Sequence, residues 1–286
     1  MLEAFTAPGT WLKGNLHTHT TNSDGRVTPQ ERIAGYSSRG YDFIAFTDHY
    51  AVTRETDGEL IVIPGAEYDF GEQGRFYHLV MLNAPQGFHL FDGMSVQEAI
   101  DEITAMGAMS VLAHPYWCGL SLPDLRDIRG CLGIEVYNHN CHCGIAKGLS
   151  TVHWDDLLAA GWRGYGFAVD DCHYLSDAYG GWIMLKSEKR DLESILDAIK
   201  AGRFYATCGP EIRNIERNEN QLSVTCSDAV AVNLVCRKQF GWRVAAPEGQ
   251  VINSAQLTLD RQMGYVRVEV VDARGRTAWS NPLFLT

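Results

Sequence analysis

The chain has 286 residues, of which 45% are hydrophobic, so it can bury a sizeable core in one large domain or in one large and one small domain. Lysine and arginine total 24 against 35 aspartates and glutamates, which gives a formal net charge of −11. A surface this acidic repels the phosphate backbone, so we expect no binding of long nucleic acid, whereas bound divalent cations would still admit a small anionic substrate.

The N-terminal stretch MLEAFTAPGTWLKG has neither the basic segment nor the apolar segment of a signal peptide. The sequence contains no apolar run of about 18 residues, so it predicts no membrane span. The 8 cysteines include no C-x-x-C pair. We therefore expect reduced thiols in a cytoplasmic protein with no membrane partner, and the sequence leaves the oligomeric state open.

Apolar, β-rich runs alternate with helical patterns over about the first 205 residues, which predicts a mostly parallel β/α sheet or barrel. The predicted strands are LKGNLH, YDFIAFTD, LIVIPGAE, FYHLVML, AMSVLAH, LGIEVYN, YGFAVD and GGWIMLK. The predicted helices are TPQERIAGYSSRG, SVQEAIDEITAMG, TVHWDDLLAAG and DLESILDAIKAG. Thr28 with Glu31, and Ser95 with Glu98, have the spacing of capping boxes at the starts of the first two helices.

The pattern changes near residue 208, where the linker CGPEIRN is followed by short alternating runs separated by turns. No helical period is evident in this part. The sequence therefore predicts a first domain over 1–208 and a small C-terminal domain over 209–286, an antiparallel β structure resembling a sandwich.

Histidines and acids stand where the predicted strands end, and the carboxyl ends of parallel strands share one edge of a β/α fold. Each one alone is typical of a structural residue, but so many unpaired polar groups in one cavity would be costly. Coordination of metal ions removes that cost, and an imidazole and carboxylate set without cysteine suits Zn, Mn or Fe. The residues are His17, His19, Asp24, Asp48, His49, Glu67, His78, His114, Asp170, Asp171 and His173.

The motifs NLHTHTTNSDG, FTDH, GAE, AHP and DDCH resemble, in order and spacing, those of the polymerase-and-histidinol-phosphatase (PHP) superfamily of metal-dependent phosphoesterases. The resemblance covers roughly residues 12–206. It implies a distorted seven-stranded (β/α) barrel and a site with two or three divalent metal ions.

The same resemblance implies the metal ligands, motif by motif. One ion would be held by His17, His19, Glu67 and Asp171; a second by Glu67 as a bridge with His78 and His114; a third by Asp24, His49 and His173. The usual last motif is Ser-Asp-x-His, and this chain has Asp170-Asp171-Cys172-His173. Asp171 keeps the spacing to His173, and His78 is alternatively a buried structural histidine.

A narrower resemblance joins HPYW, IEVYN, HWDDLLAAGW, AVDDCHY and the C-terminal tail to the branch of the superfamily grouped with bacterial carbaryl hydrolase. This resemblance spans both predicted domains. It implies architecture more than chemistry, and it brings a carbamate substrate into consideration.

Other roles are open for residues near these motifs. Asp48 would orient a ligand or stabilise its loop. Asp170 would support a ligand from behind or contact the substrate, and either Asp170 or a metal-bound water would protonate the leaving group. Glu135, with Asn138, either faces the substrate or forms a structural pair. Lys147 either contacts phosphate or is solvated, and Tyr116 and Trp117 either wall the pocket or pack. The soft-ligand stretch NHNCHCG, 138–144, could bind zinc, but it lacks C-x-x-C spacing, so we expect a loop with free thiols.

The sequence therefore predicts a metal-dependent phosphoesterase that cleaves small phosphate esters by attack of metal-activated hydroxide. The sequence contains no Gly-x-Ser-x-Gly elbow, so it does not predict a serine nucleophile. Two alternatives remain: hydrolysis of a carboxylic ester or carbamate on the same metal site, and a non-catalytic binding protein.

Overall fold

Strands and helices alternate along the first part of the chain. The computed structural model describes residues 2–55, 58–91 and 93–285. The strands of this part are β1 (Thr10–Asn15), β2 (Phe43–Phe46), β3 (Ile61–Glu72), β4 (Arg75–Leu82), β5 (Met109–Ala113), β6 (Gly133–Asn138), β7 (Tyr165–Val169), β8 (Trp182–Ser187) and β9 (Phe204–Thr207). The helices are α1 (Glu3–Thr6), α2 (Pro29–Ser37), α3 (Val96–Ala105), α4 (Leu122–Leu125), α5 (His139–Ile145), α6 (Thr151–Ala159) and α7 (Leu192–Lys200).

The four predicted helices are present as α2, α3, α6 and α7. Both predicted capping boxes form, because Thr28 and Ser95 accept the backbone N–H groups of Glu31 and Glu98, whose side chains reach back. No helix within the described ranges is long and apolar enough to cross a bilayer.

The stretch predicted as a loop at 138–144 is largely helical, and that expectation was wrong. Asn138 caps α5 by accepting the backbone N–H of Cys141 at 2.9 Å. The helix ends at Ala146, whose φ of 58° is left-handed. Cys141 and Cys143 in this stretch form no disulfide.

All eight predicted strands lie in one large sheet, in the order β8-β1-β2-β3-β4-β5-β6-β7. Four neighbouring pairs are parallel, namely β1–β2, β2–β3, β5–β6 and β6–β7. β4 runs antiparallel to both neighbours, because a tight turn with positive φ at Gln73 and Gly74 folds it back on β3. The sheet is therefore rich in parallel pairs without being uniformly parallel.

The segments that directly follow β1 and β7 meet. The N–H of Asp171 donates to the carbonyl of His17 at 2.9 Å, and the N–H of His19 donates to the carbonyl of Cys172 at 3.1 Å. These bonds form an isolated parallel bridge between the two segments. The array therefore curves until the segments after its first and seventh strands share hydrogen bonds.

Arg32 on α2 reinforces this junction from behind. Its guanidinium is fully buried and donates to the backbone carbonyls of His19 at 3.2 Å, Cys172 at 3.0 Å and Tyr174 at 2.8 Å. Five donors in a rigid planar fork suit this task, since one side chain can join two separate segments.

The rest of the chain is mainly antiparallel. Its strands are β10 (Ile212–Asn218), β11 (Gln221–Ala229), β12 (Ala231–Cys236), β13 (Gly241–Ala245), β14 (Ile252–Thr258), β15 (Tyr265–Val271), β16 (Thr277–Ser280) and β17 (Leu283–Phe284). β10, β11 and β14 form a separate sheet, whereas β12, β13, β15 and β16 continue the large sheet through pairing of β16 with β9. The two sheets share an apolar core that includes Val224, Leu257, Val232 and Val268.

A buried ion pair joins the C-terminal strands to α6. Arg267 on β15 is 1% exposed and donates to both carboxylate oxygens of Asp155, at 2.8 and 2.6 Å. Glu269 also contacts the guanidinium. A bidentate pair of this kind fixes orientation because both hydrogen bonds must align together.

Replacing Asp155 with alanine would leave the buried charge of Arg267 with Glu269 alone. We expect the free energy of unfolding to fall by about 3 kcal/mol, the low end for breaking a buried pair. Urea denaturation of Asp155→Ala against Asp156→Ala, an exposed neighbour on the same helix, measures this. Equal stability of the two variants would contradict a structural role for the pair.

Candidate metal centre

The predicted metal-ligand residues converge where β1, β2, β5 and β7 end. The side chains come from the segments just after these strands and from positions within β3 and β4. All of them except His17 and His19 border a cavity of about 230 Å³. Its lining residues are Asp24, His49, Glu67, His78, His114, Trp117, Asn140, Cys141, Asp171 and His173.

His78 reaches this cavity by a route that strand order alone does not suggest. It lies within β4, opposite Asp69 of β3 and Ala113 of β5. Because β4 is antiparallel, its beginning lies beside the carboxyl ends of its neighbours. His78 Nδ1 is 2.7 Å from Glu67 Oε1, so the side chain faces the other candidates.

The nine residues form three overlapping groups whose possible ligand atoms lie within 4.8 Å of one another in each group. These match the sets implied by the family resemblance, except that His19 also lies within the third set. The groups are His17, His19, Glu67 and Asp171; Glu67, His78 and His114; and His19, Asp24, His49 and His173.

The arrangement of nitrogen and oxygen atoms fits a bound cation. His17 Nε2 and His19 Nε2 are 3.1 Å apart, and both lie within 3.2 Å of Glu67 Oε2. If both rings were protonated, two N–H groups would face each other across this gap. A cation among these atoms removes the conflict, because neutral imidazole and carboxylate then both act as ligands.

Buried polar atoms without hydrogen bonds give a second test of the fit. Among the described residues, His19 Nδ1, His49 Nδ1, His78 Nε2 and Asp171 Oδ1 are buried and have no hydrogen-bond partner. Such atoms are rare because each costs desolvation free energy. Their concentration around one cavity indicates that they contact something other than protein, and the donor set suits divalent ions.

The charges around Glu67 compensate one another. Burial disfavours the protonated form of His19, but the neighbouring carboxylates of Asp171 and Glu67 outweigh it and raise the pKa of His19 to about 9. Burial also disfavours the Glu67 carboxylate, yet His17 and His114 hold the pKa of Glu67 well below its usual range. Protons on the imidazoles therefore occupy positions that cations can take over.

Glu135, a candidate for substrate contact, lies behind His17 instead. Its Oε1 is 2.6 Å from His17 Nδ1, and its Oε2 accepts the backbone N–H of His114 at 2.9 Å and the amide of Asn138 at 2.8 Å. The pairing directs His17 Nε2 toward Glu67, as carboxylates behind metal-binding histidines do. Of the two open interpretations, the geometry matches the structural pair.

Asp48, a catalytic candidate, faces the loop after β1 and not the cavity. One oxygen accepts the N–H of Thr20 at 2.7 Å and the hydroxyl of Ser23 at 2.7 Å. The other accepts the hydroxyls of Thr20 at 2.8 Å and Thr53 at 2.6 Å. With four hydrogen bonds, Asp48 fixes the loop that carries Asp24, which is the loop-stabilising alternative.

Asp170, the other catalytic candidate, also points away from the cavity. It accepts backbone N–H groups of Tyr179, Gly180 and Gly181 at 2.7 to 2.8 Å and the hydroxyl of Tyr36 at 2.6 Å. It is fully buried and does not line the cavity. The backbone turns at Asp171, whose φ is 55°, so Asp171 enters the cluster while Asp170 anchors the following loop.

Tyr116 and Lys147 lie together outside the cavity lining. Lys147 Nζ is 5.7 Å from the centroid of the Tyr116 ring, which is 41% exposed. The adjacent Trp117 does line the cavity, and its ring lies 5.1 Å from that of His114. The predicted aromatic wall is therefore supplied by Trp117.

Sequence reasoning missed three residues at this site. Arg32 carries no local signal, because an arginine inside a helix is typical of a solvated face. Asn140 and Cys141 line the cavity from α5, and their only signal was the cluster of soft ligands in 138–144.

The chain matches known proteins in its structure. No protein-family model matches the chain, and no curated protein matches it. The chain is similar to a two-domain protein of Bacteroides vulgatus, which is described as containing a predicted PHP-like metal-dependent phosphoesterase. The TM-score is 0.54 at 17% sequence identity, and the match covers 99% of this chain and 96% of that chain. PHP-like metal-dependent phosphoesterases are thus structural neighbours, and at this identity the likeness shows the fold.

Two weaker likenesses cover about two thirds of the chain. One is to an amidohydrolase from Chromobacterium violaceum with bound sulfate and no metal (TM-score 0.48, 16% identity, 67% of this chain and 96% of that one). The other is to the lesion-specific endonuclease PfuEndoQ from Pyrococcus furiosus (TM-score 0.44, 14% identity, 67% and 56%). The likeness to the Bacteroides vulgatus protein shows the fold alone, and the imidazole and carboxylate cluster of this chain is a separate observation that could hold metal ions.

Metal addition is expected to stabilise the chelator-treated protein. Zinc or manganese at about 100 times its Kd should raise the free energy of unfolding by about 2.7 kcal/mol, since the ion binds the folded state. Urea denaturation with and without metal measures the increment. We expect a smaller increment in His17→Ala and an unchanged one in His89→Ala, whose exposed histidine lies outside the cluster.

The Glu135→Gln substitution tests the pair behind His17. We expect the affinity for metal to fall by about 10- to 100-fold, because the amide no longer carries the charge that supports His17 and its single oxygen cannot accept from His17, His114 and Asn138 together. Competition with a chromophoric chelator gives the affinity. Glu193→Gln, an exposed change on α7, is the control. Unchanged affinity in a folded Glu135→Gln protein would exclude the supporting role.

Proposed function

We propose that the protein is a metal-dependent phosphoesterase that hydrolyses small phosphate esters. The observation that carries the proposal is the convergence of nine His, Asp and Glu side chains into three overlapping groups on a PHP-like fold. Two or three divalent ions, Zn, Mn or Fe, would be held by these groups. The barrel is the distorted seven-stranded type over 1–208, with residues 209–286 as a C-terminal β domain.

The proposed ligands divide between the inside and the opening of the cavity. Glu67 and His17 are almost fully buried, whereas the side chains of His49, His173 and Asp24 are 24%, 19% and 54% exposed. The substrate therefore enters beside His49, His173 and Asp24. Trp117 lines the cavity beside His78 and His114.

Divalent ions bound there supply Lewis acidity that activates water and takes up charge on the phosphoryl oxygens. The protein residues hold that arrangement in place. Glu135 orients His17, Asp48 fixes the loop of Asp24, and Asp170 fixes the loop after β7. All three are positioning residues in this proposal, because none of them lines the cavity.

A small substrate is favoured over long nucleic acid. The cavity measures about 230 Å³, and the chain has a net charge of −11, which opposes approach of an extended polyanion. The narrower resemblance to the carbaryl-hydrolase branch gives the second candidate, hydrolysis of a carbamate or carboxylic ester on the same site.

The test is activity after chelation and reconstitution with Zn, Mn or Fe. We expect hydrolysis of p-nitrophenyl phosphate or bis(p-nitrophenyl) phosphate to return with metal. Glu67→Gln should lower kcat/KM on the order of 10³-fold, because a ligand shared by two groups is lost. Glu72→Gln is a matched control on the same strand, outside the three groups.

The substrate panel separates the candidates. Metal-dependent hydrolysis of p-nitrophenyl acetate without phosphate ester hydrolysis would replace the phosphoesterase with the ester and carbamate hydrolase. A protein that binds metal tightly but cleaves none of the three compounds would support a binding function instead.

A further inference from the structure

Cys141 places a thiol at the edge of the candidate metal centre. The residue lies in the first turn of α5, is 5% exposed and lines the cavity. Its sulfur lies within 4.8 Å of the possible ligand atoms of His114 and Asp171, and Sγ is 4.0 Å from Asp171 Oδ2. Among the described residues, no other cysteine belongs to such a group.

The position of this thiol is fixed by the same residue that orients Asp171. Asn138 accepts the backbone N–H of Cys141 at 2.9 Å through its side-chain oxygen. Its amide nitrogen donates to Asp171 Oδ2 at 3.1 Å and to Glu135 Oε2 at 2.8 Å. One amide therefore holds the start of α5 against two carboxylates of the site, which leaves little freedom to the thiol.

The neighbouring groups leave room for a further ligand here. His114 belongs to a group of three possible ligands with Glu67 and His78, one fewer than a tetrahedral ion uses. Asp171 Oδ1 is buried and has no hydrogen-bond partner among the described residues. A sulfur atom between these two side chains is placed to contact an ion that either of them holds.

We propose that Cys141 is a thiolate ligand of the metal centre, next to His114 and Asp171, and that it biases the centre toward zinc or iron over manganese. The inference rests on the proposed metal-dependent function and refines it. Binding would form a sulfur–metal bond and release the thiol proton to solvent, with no change of oxidation state. Thiolate ligands select softer metals, whereas carboxylate and water ligands suit manganese.

Two other cysteines serve as matched controls. Cys118 Sγ lies 3.5 Å from His114 Nδ1, the nitrogen on the far side of the ring from Glu67. Cys143 is on the same helix as Cys141 but is exposed, with its sulfur 3.5 Å from His139 Nε2. Neither belongs to any of the groups of possible ligands.

The experiment uses Co²⁺ added to the chelated full-length protein, with the absorption spectrum as the readout. A thiolate ligand produces a near-ultraviolet sulfur-to-cobalt charge-transfer band, and visible d–d bands report loading of the centre. We expect both features in the wild type, Cys118→Ser and Cys143→Ser. Cys141→Ser should keep the d–d bands and lose the charge-transfer band. Its preference for zinc over manganese should fall by ~10-fold or more.

The outcomes distinguish this inference from the proposed function. Cobalt loading with d–d bands but no charge-transfer band in the wild type would remove Cys141 from the ligands and leave the metal centre intact. A charge-transfer band that survives in Cys141→Ser would do the same. Absence of any cobalt loading in folded protein would overturn the metal centre and the thiolate ligand together.

Discussion

The site depends on the hydrogen bonds that join the segment after β1 to the segment after β7. These bonds bring His17 and His19 against Asp171. Asp171 adopts a φ of 55°, an uncommon value that aspartate tolerates better than most residues. Arg32 holds the junction through three carbonyls from behind. Without this closure, His17 and His19 after β1 would be separated from Asp171 after β7 by the strands that lie between them.

Compensation between histidines and acids makes so polar a centre compatible with a folded core. Glu67 is 1% exposed and faces the rings of several histidines, so an isolated buried carboxylate never arises. The supporting acids are satisfied separately: Asp48 and Asp170 each accept four hydrogen bonds from loop backbone and hydroxyl groups. The chain thus uses one set of carboxylates to shape its loops and another to line the cavity.

Much of the fold was accessible from the sequence because hydrophobic periodicity and capping residues are local signals. The eight strands, the four helices with their caps and the gathering of ligand-type residues at strand ends follow from such signals. The direction of β4 could not be predicted in the same way. The turn at Gln73 and Gly74 does not indicate which strands β4 will pair with. The sequence could not decide between the alternatives for Glu135, Asp48 and Asp170, because proximity to a ligand in sequence does not tell which way a carboxylate faces. The role of Arg32 was not predictable either, because it binds backbone carbonyl groups that are distant from it in sequence.

The pairing of β9 with β16 means that the two parts of the chain share one sheet. Asn281, 1% exposed, adds to this join: it donates to the carbonyls of Gly202 and Phe204 and accepts the N–H of Gly166. A chain cut near residue 208 would therefore present β9 as a bare edge with unpaired backbone groups, the kind of surface that recruits other strands and leads to aggregation. The C-terminal strands thus act as a permanent cover for that edge, whatever else they bind.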